Sequence, residues 1–450
     1  MKKAGVDPSV APGWDGPPVA VLWDQSLVWG LLCIDTLSKL GVPFELLGAK
    51  EICADRLEAF RVLLVPGGWA AHKVRVLGET GRLKIAKFID ERGSYLGFCG
   101  GAGLALSSPP ALCLTPIRRM PVPERLPSAS GEIYVSGALS HPAWKDIDPE
   151  IPVSVWWPSQ FWLEPGCKAT CLAAYSVPGA GFQVADLRVC DVDRCDRWDE
   201  LEKAYGINLD PARIKGHPAI IEIERGKGRL VLSYAHLETP GDLQGNRLFF
   251  NLLNYLNDAS ENSAPGRASG ARRPVSERRP GPADRMPENS VPSTGACPPA
   301  SGVSAAKQAA ADLIAFGEVN LLWNWRKPWL LNWRRGIRGL EYGSLYVMLS
   351  TMANLEQRSA SVHGWSKTAN ELEEKTLEFC ALAKRLLFEE KIATRTGTVS
   401  KLGKVNETVD PLRSSLFGNK MNHGGLCSEL FDLIDRMLLD LIRATGGNDS

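Results

Sequence analysis

A cysteine set among glycines at the end of an apolar run has the clearest chemical potential in this chain: Tyr95 to Ala105 reads YLGFCGGAGLA. A nucleophile on a strand-to-helix elbow occupies strained backbone, and such a turn closes only when its neighbours are small. Gly97, Gly100 and Gly101 flank Cys99 and meet that demand. A helix beginning near Ala102 would aim its N-terminal dipole at the thiol and favour thiolate. The same glycines would also let a helix pack closely on a strand beside an inert thiol, so this stretch alone leaves both readings open.

Two further clusters bear on the choice. His236-Leu237-Glu238 follows another apolar run, GRLVLSY from Gly228 to Tyr234. A thiolate nucleophile needs a base for its proton and a third group to hold that base's tautomer, which His236 and Glu238 supply. Pro66-Gly67-Gly68 ends the run RVLLV, and backbone N–H groups at such a turn, with that of Gly100, can stabilise an oxyanion. The chemistry that joins the three is acyl transfer. Cys99 attacks a carbonyl, with an amide as its expected source, His236 accepts and returns the proton, and a thioester forms between the two half-reactions.

These groups need a scaffold that gathers them. Pro18 to Trp23, Val42 to Leu47, Arg61 to Val65, Tyr95 to Phe98 and Gly228 to Tyr234 read as strands. Helical spacing runs from Leu27 to Leu40 with Gly41 as its stop, from Thr80 to Arg92 with Gly93, and from Leu243 to Leu256. Strands alternating with helices predict an α/β fold with a doubly wound parallel sheet, whose ligand chemistry collects at the C-terminal strand ends. From Glu132 to Ala185 the pattern turns short and β-rich, with the aromatic run PVSVWWPSQFW at 152–162.

Residues 18–257 are therefore expected to form one α/β domain. Residues 258–305, rich in Ser, Pro, Gly, Ala and Arg, bury too little to offset ordering and are expected to be a disordered linker. Residues 306–445 read as a helical C-terminal domain, including amphipathic helices at 371–392 and 428–442. Within it, Trp323, Trp325, Trp329 and Trp333 sit between basic residues, read either as a core face or as a partner-binding helix pair broken at Pro328.

Composition narrows the function classes. Of 450 residues, 52 are Lys or Arg and 51 Asp or Glu, so a net charge of +1 gives no field that would draw nucleic acid or an anionic membrane. No stretch resembles an export signal or a bilayer span, and a cytoplasmic protein is expected. The 11 cysteines lack a regular framework and read as reduced thiols. Cys167, Cys171, Cys190 and Cys195 can be drawn as zinc ligands, but their spacing is not the tight CxxC kind, so no metal and no cofactor are expected. His72 is a candidate for the site's mouth or for a helix cap, and His141 for the cleft or for a turn. Trp156, Trp157, Phe161 and Trp162 are candidates for a pocket wall or for core.

PGGWAAH at 66–72, YLGFCGGAGLA at 95–105 and GRLVLSYAHLE at 228–238 together resemble the class I glutamine amidotransferase-like superfamily, and within it the biotin-protein ligase N-terminal type domain. The resemblance spans about residues 18–257. It implies a flavodoxin-like sheet, Cys99 as nucleophile, His236 as base, Glu238 as its orienting partner, and Gly68 with Gly100 at the oxyanion hole. Glutamine-using members often carry Gln four residues after the nucleophile, where this chain has Gly103, and their HPE is here HLE. A GRGRxGR-type biotinyl-adenylate loop is absent, so biotin ligation by this chain alone is not expected. The expected function is an amidotransferase-like or amide-hydrolysing enzyme acting on a small molecule. The alternative is a catalytically silent binding or regulatory domain whose helical C-terminal region docks a protein partner.

Overall fold

The computed structural model describes residues 13–192, 197–262, 302–327, 330–333, 336–358, 366–395, 403–418 and 421–446. The chain begins β1 (Val19–Leu22), α1 (Leu27–Lys39), β2 (Phe44–Leu47), α2 (Ala49–Cys53), β3 (Val62–Val65), α3 (Ala70–Glu91), β4 (Ser94–Phe98) and α4 (Gly100–Ala105). Next come β5 (Arg118–Arg119), β6 (Ala129–Gly137), β7 (Glu150–Trp156), β8 (Phe161–Trp162), β9 (Ala169–Pro178), β10 (Gln183–Val184) and β11 (Leu187–Arg188). Two short helices, α5 (Val189–Val192) and α6 (Trp198–Tyr205), lead to β12 (Pro218–Arg225), β13 (Gly228–Ser233) and α7 (Leu243–Asn262).

The parallel strands lie in the order β2-β1-β3-β4-β13, which is that of a doubly wound flavodoxin-like sheet. Their apolar runs are continuous because both faces are covered. Val19, Val21, Val62 and Leu64 face a core shared with α1 and α7, whereas Ala20, Leu22, Leu63 and Val65 face one shared with α2 and α3. Gly41 ends α1 at φ +66°, and Gly78 at φ +58° breaks α3 ahead of the helical run read from Thr80. The β-rich middle does not form a separate sheet. β12, β9, β6, β10 and β11 extend the parallel core in antiparallel pairings, and β7 pairs with β6.

The C-terminal region is mainly helical: α8 (Gly302–Val319), α9 (Gly339–Arg358), α10 (Ser366–Ala393), α11 (Val409–Phe417) and α12 (Gly425–Gly446). The tryptophan-rich segment departs from the helical reading. Trp323–Lys327 and Leu330–Trp333 form an antiparallel hairpin, β14 and β15, with Trp323 opposite Trp333. Aromatic residues at alternate positions suit a pleated strand, and that preference prevails over the helical spacing. Pro328 and Trp329 lie outside the described residues. So do residues 263–301, which include most of the expected linker; α7 runs five residues into its predicted start, and α8 begins at Gly302. No helix among the described residues is long and apolar enough to cross a membrane.

The helical region docks on the α/β domain through α12. Trp23 donates its indole N–H to the Asp435 carbonyl at 2.8 Å, and the Gln25 backbone N–H reaches an Asp435 carboxylate oxygen at 3.0 Å. Arg443 reaches the Leu46 carbonyl at 2.7 Å and pairs with Glu51.

Glycines set the closest backbone approaches. A β-carbon on Gly101 would lie 2.0 Å from the Val65 carbonyl oxygen, whereas Gly343, inside α9, has open space at that point. Gly101→Ala is expected to destabilise the protein by more than about 2 kcal/mol in urea unfolding. Gly343→Ala is expected to be neutral or to stabilise it by up to about 1 kcal/mol. Equal effects for the two variants would refute the close-packing account.

Candidate active site

Strand register brings the three sequence clusters to one edge. β4 lies between β3 and β13, with Gly97 opposite both Val65 and Leu232, so PGG, Cys99 and HLE all leave the sheet at the same end. Cys99 continues this alignment, donating its N–H to the Ser233 carbonyl at 2.7 Å.

Cys99 itself is turned sharply. Its φ of +47° and ψ of −104° lie outside the regions a non-glycine residue ordinarily occupies, which is the strain of an elbow. α4 begins at Gly100, two residues earlier than the sequence suggests, and Gly103 donates to the Cys99 carbonyl at 2.9 Å. The surroundings hold the turn in place. A β-carbon on Gly97 would meet the Gly101 carbonyl, and one on Gly100 would lie 1.8 Å from the Gly68 oxygen. Tyr95 donates its hydroxyl to the Gly101 carbonyl at 2.7 Å. Gly68, at φ +99°, is pressed against the Gln25 carbonyl. Neither the Gly68 nor the Gly100 N–H meets an acceptor among the described residues.

His236 and Glu238 are fully buried and joined through Nδ1 and Oε1 at 2.7 Å. The backbone of His236 is pinned to β7, its N–H donating to the Ser154 carbonyl at 2.8 Å. Thr36 holds the Glu238 backbone, donating its hydroxyl to that carbonyl at 2.8 Å. Two indoles enclose the imidazole: Trp29 and Trp156 stack at 4.3 Å, with centroids 5.0 and 4.7 Å from the ring.

Burial acts to lower the basicity of His236, but the Glu238 charge and the neighbouring Cys99 sulfur outweigh it and push the imidazole up to about 10. Nε2, on the side away from Glu238, makes no hydrogen bond of ordinary geometry, and the Cys99 sulfur is among the groups that raise the ring. The arrangement can hold a proton on a buried imidazole near the Cys99 sulfur. Because the folded imidazole binds that proton more tightly than an unfolded one, its contribution to stability is complete below pH 6.5 and is lost as pH rises through about 10.

Other sequence candidates fall elsewhere. His72, buried on α3, contacts Gln25 at 3.0 Å through Nδ1 and Asn422 at 2.6 Å through Nε2, so it joins the two regions of the chain. His141 caps a short turn, accepting from the Ala143 N–H at 3.2 Å, and faces Glu222. Of the aromatic run, Trp156 covers His236, Phe161 packs on Tyr234, Trp162 stacks under Arg118 and Trp157 is exposed. Cys171 and Cys190 turn their thiols to the Ala173 and Ala180 carbonyls, and Cys195 lies outside the described residues. No group of three His, Cys, Asp or Glu residues positioned for a metal occurs among the described residues.

Sequence reasoning missed Trp29 and Thr36, which cover and hold the His236–Glu238 pair. Trp29 and Thr36 look like ordinary positions of an amphipathic helix, and their only signal is a polar Thr on the buried face of α1.

No family model and no curated protein matches the chain. Solved structures similar to it include a protein assigned as a GMP synthase component from Thermoplasma acidophilum, at 16% identity and TM-score 0.34, covering 55% of this chain and 98% of that one. Another is PurLQS from Thermotoga maritima, at 14% identity and TM-score 0.37, covering 54% and 99%. A glutamine amidotransferase from Methylobacillus flagellatus matches at 15% identity and TM-score 0.30, covering 57% and 99%.

The Glu238 charge is the largest influence that raises His236. Glu238→Gln is expected to bring the His236 titration, followed by the NMR shift of its ring protons, well below 10. An unchanged midpoint would show that Glu238 does not hold the imidazolium.

Proposed function

We propose that the α/β domain is an amide hydrolase or amidotransferase-like enzyme with Cys99, His236 and Glu238 as its triad, acting on a small molecule through a thioester. The observation that carries this reading is the buried His236–Glu238 pair at 2.7 Å beside a cysteine in elbow geometry. Each part has a task. The Cys99 sulfur attacks the carbonyl carbon, forming the S–C bond and moving the carbonyl electron pair onto oxygen. The N–H groups of Gly68 and Gly100 receive that oxyanion. As the C=O bond re-forms, the C–N bond breaks and His236 gives its proton to the departing nitrogen. Water or an acceptor amine then attacks the thioester and yields its proton to His236, releasing the acid or new amide and restoring the enzyme. Glu238 keeps the imidazole oriented and supports its positive charge throughout.

The narrower resemblance, to the biotin-protein ligase N-terminal type, rests on PGG and the YLGFCGGAG elbow and implies no ligase activity here. Glutamine is disfavoured as substrate, because the position four residues beyond Cys99 is Gly103. A second reading, a silent binding domain with the helical region as a partner-docking module, is favoured by one observation. His236 and Glu238 are wholly enclosed, as residues that serve only the fold would be.

Alkylation separates the two. Cys33 and Cys380 are buried thiols pushed up by burial and should react slowly, whereas Cys113 is exposed and serves as the internal reference. With iodoacetamide at neutral pH and peptide mapping, Cys99 is expected to label about tenfold faster than Cys113. That advantage should vanish in His236→Ala, and Cys99→Ser should remove the labelled peptide. Labelling of Cys99 no faster than Cys113, indifferent to His236, would leave the binding reading standing.

A further inference from the structure

Two arginines, Arg119 beside Gly103 and Arg125 beside Ser159, have no carboxylate partner among the described residues. Arg119, on β5, brings Nη2 to 3.4 Å from the Gly103 carbonyl. Gly103 lies one helical turn along from Cys99, and a β-carbon there would stand 2.8 Å from that same nitrogen. The guanidinium thus occupies the space into which a side chain at 103 would grow. Arg125 donates from Nη1 to the Ser159 hydroxyl at 3.0 Å. Burial, and then the charge of Arg119, depress the Arg125 pKa, so the two cations act on each other.

Tyr234 completes the group. Its hydroxyl lies 3.9 Å from the β-carbon position of Gly103 and interacts with Arg119, Ser159 and Cys99, yet no hydrogen bond of normal geometry closes on its oxygen. The Nε atoms of Arg119 and Arg125 are likewise buried without an acceptor. By contrast, the partly buried Arg225 and Arg229 have Asp90 and Glu222, and the buried Arg413 has Glu390. No carboxylate is paired with Arg119 or Arg125 among the described residues. Like charges brought together with buried donors left open are costly, and a bound anion relieves both costs. Guanidinium groups suit carboxylate and phosphate oxygens above other ligands.

We infer that Arg119 and Arg125, with the Tyr234 hydroxyl, form the subsite for an anionic group of the substrate, a carboxylate or phosphate that has no ammonium group beside it. The inference rests on Cys99 being the nucleophile of the proposed function, since it assigns the anion to the molecule whose carbonyl Cys99 attacks. It also deepens that reading. An α-amino acid would set its ammonium against two cations with no carboxylate to receive it, so the substrate is an amide or ester of a carboxylated or phosphorylated compound.

Iodoacetate and iodoacetamide deliver nearly the same carbon to sulfur with and without a negative charge. In the intact protein, the rate ratio of iodoacetate to iodoacetamide at Cys99 is expected to exceed the ratio at Cys113 by about tenfold, the smaller effect of a charge-assisted hydrogen bond. Arg119→Gln with Arg125→Gln should return the ratio to that of Cys113. Inorganic phosphate or succinate should protect wild-type Cys99 from iodoacetamide, and L-glutamine should not; which of the two anions protects at lower concentration identifies the group. Equal ratios at Cys99 and Cys113, or a raised ratio that survives both substitutions, would overturn the inference. If Cys99 reacts with neither reagent faster than Cys113, the nucleophile reading fails separately. Phosphorus-31 line broadening of phosphate, lost in the double variant, then still decides whether the arginines bind an anion.

Discussion

Backbone contact without side chains between is the constraint on which this site depends. The start of α4 is pressed onto the end of β3 so closely that a β-carbon at Gly100 or Gly101 would overlap the carbonyls of Gly68 and Val65. Only glycine allows it. The contact forces Cys99 into its positive-φ turn and brings the PGG backbone alongside the elbow, so the cysteine and the Gly68 and Gly100 N–H groups are positioned by one packing event. Rigid placement of this kind supplies orientation before any ligand arrives.

A second layer encloses the His236–Glu238 pair. β7 pairs with β6 and reaches His236 through Ser154, and Trp156 at its end stacks with Trp29 of α1 over the imidazole. Excluding water strengthens the attraction between His236 and Glu238, since opposite charges interact more strongly in a medium of low polarisability. The same exclusion would make either charge costly alone, which is why the carboxylate and the ring are only two residues apart.

The helical region is part of this environment. Asp435 of α12 binds the Gln25 N–H, and Gln25 in turn contacts His72 and Asp432. Lys73 sits nearby, donating to the Ser26 hydroxyl at 2.6 Å. Burial pushes Asp435 up to about 7, and brings Lys73 down to about 7 and His72 to about 4. The turn at Gln25 and Ser26 is also what touches Gly68, so packing of α12 is connected by direct contacts to the PGG side of the elbow.

Much of this is legible in the chain alone. Apolar runs broken by glycine mark the parallel strands, because a strand covered on both faces must be apolar throughout. The glycines around Cys99 and the PGG turn announce a tight elbow, because close backbone approach restricts residue type sharply, and HLE places an imidazole and a carboxylate within reach of each other. The tryptophan segment is not legible in this way, since aromatic spacing over so few residues fits either a strand or a helix until a pairing partner is known. The stacking of Trp29 and Trp156 on His236, the docking of α12 and the meeting of Arg119, Arg125 and Tyr234 are decided only in three dimensions. Local sequence determines what a residue can do and which backbone it tolerates; contacts between residues far apart in the chain depend on register and packing, which no local pattern encodes.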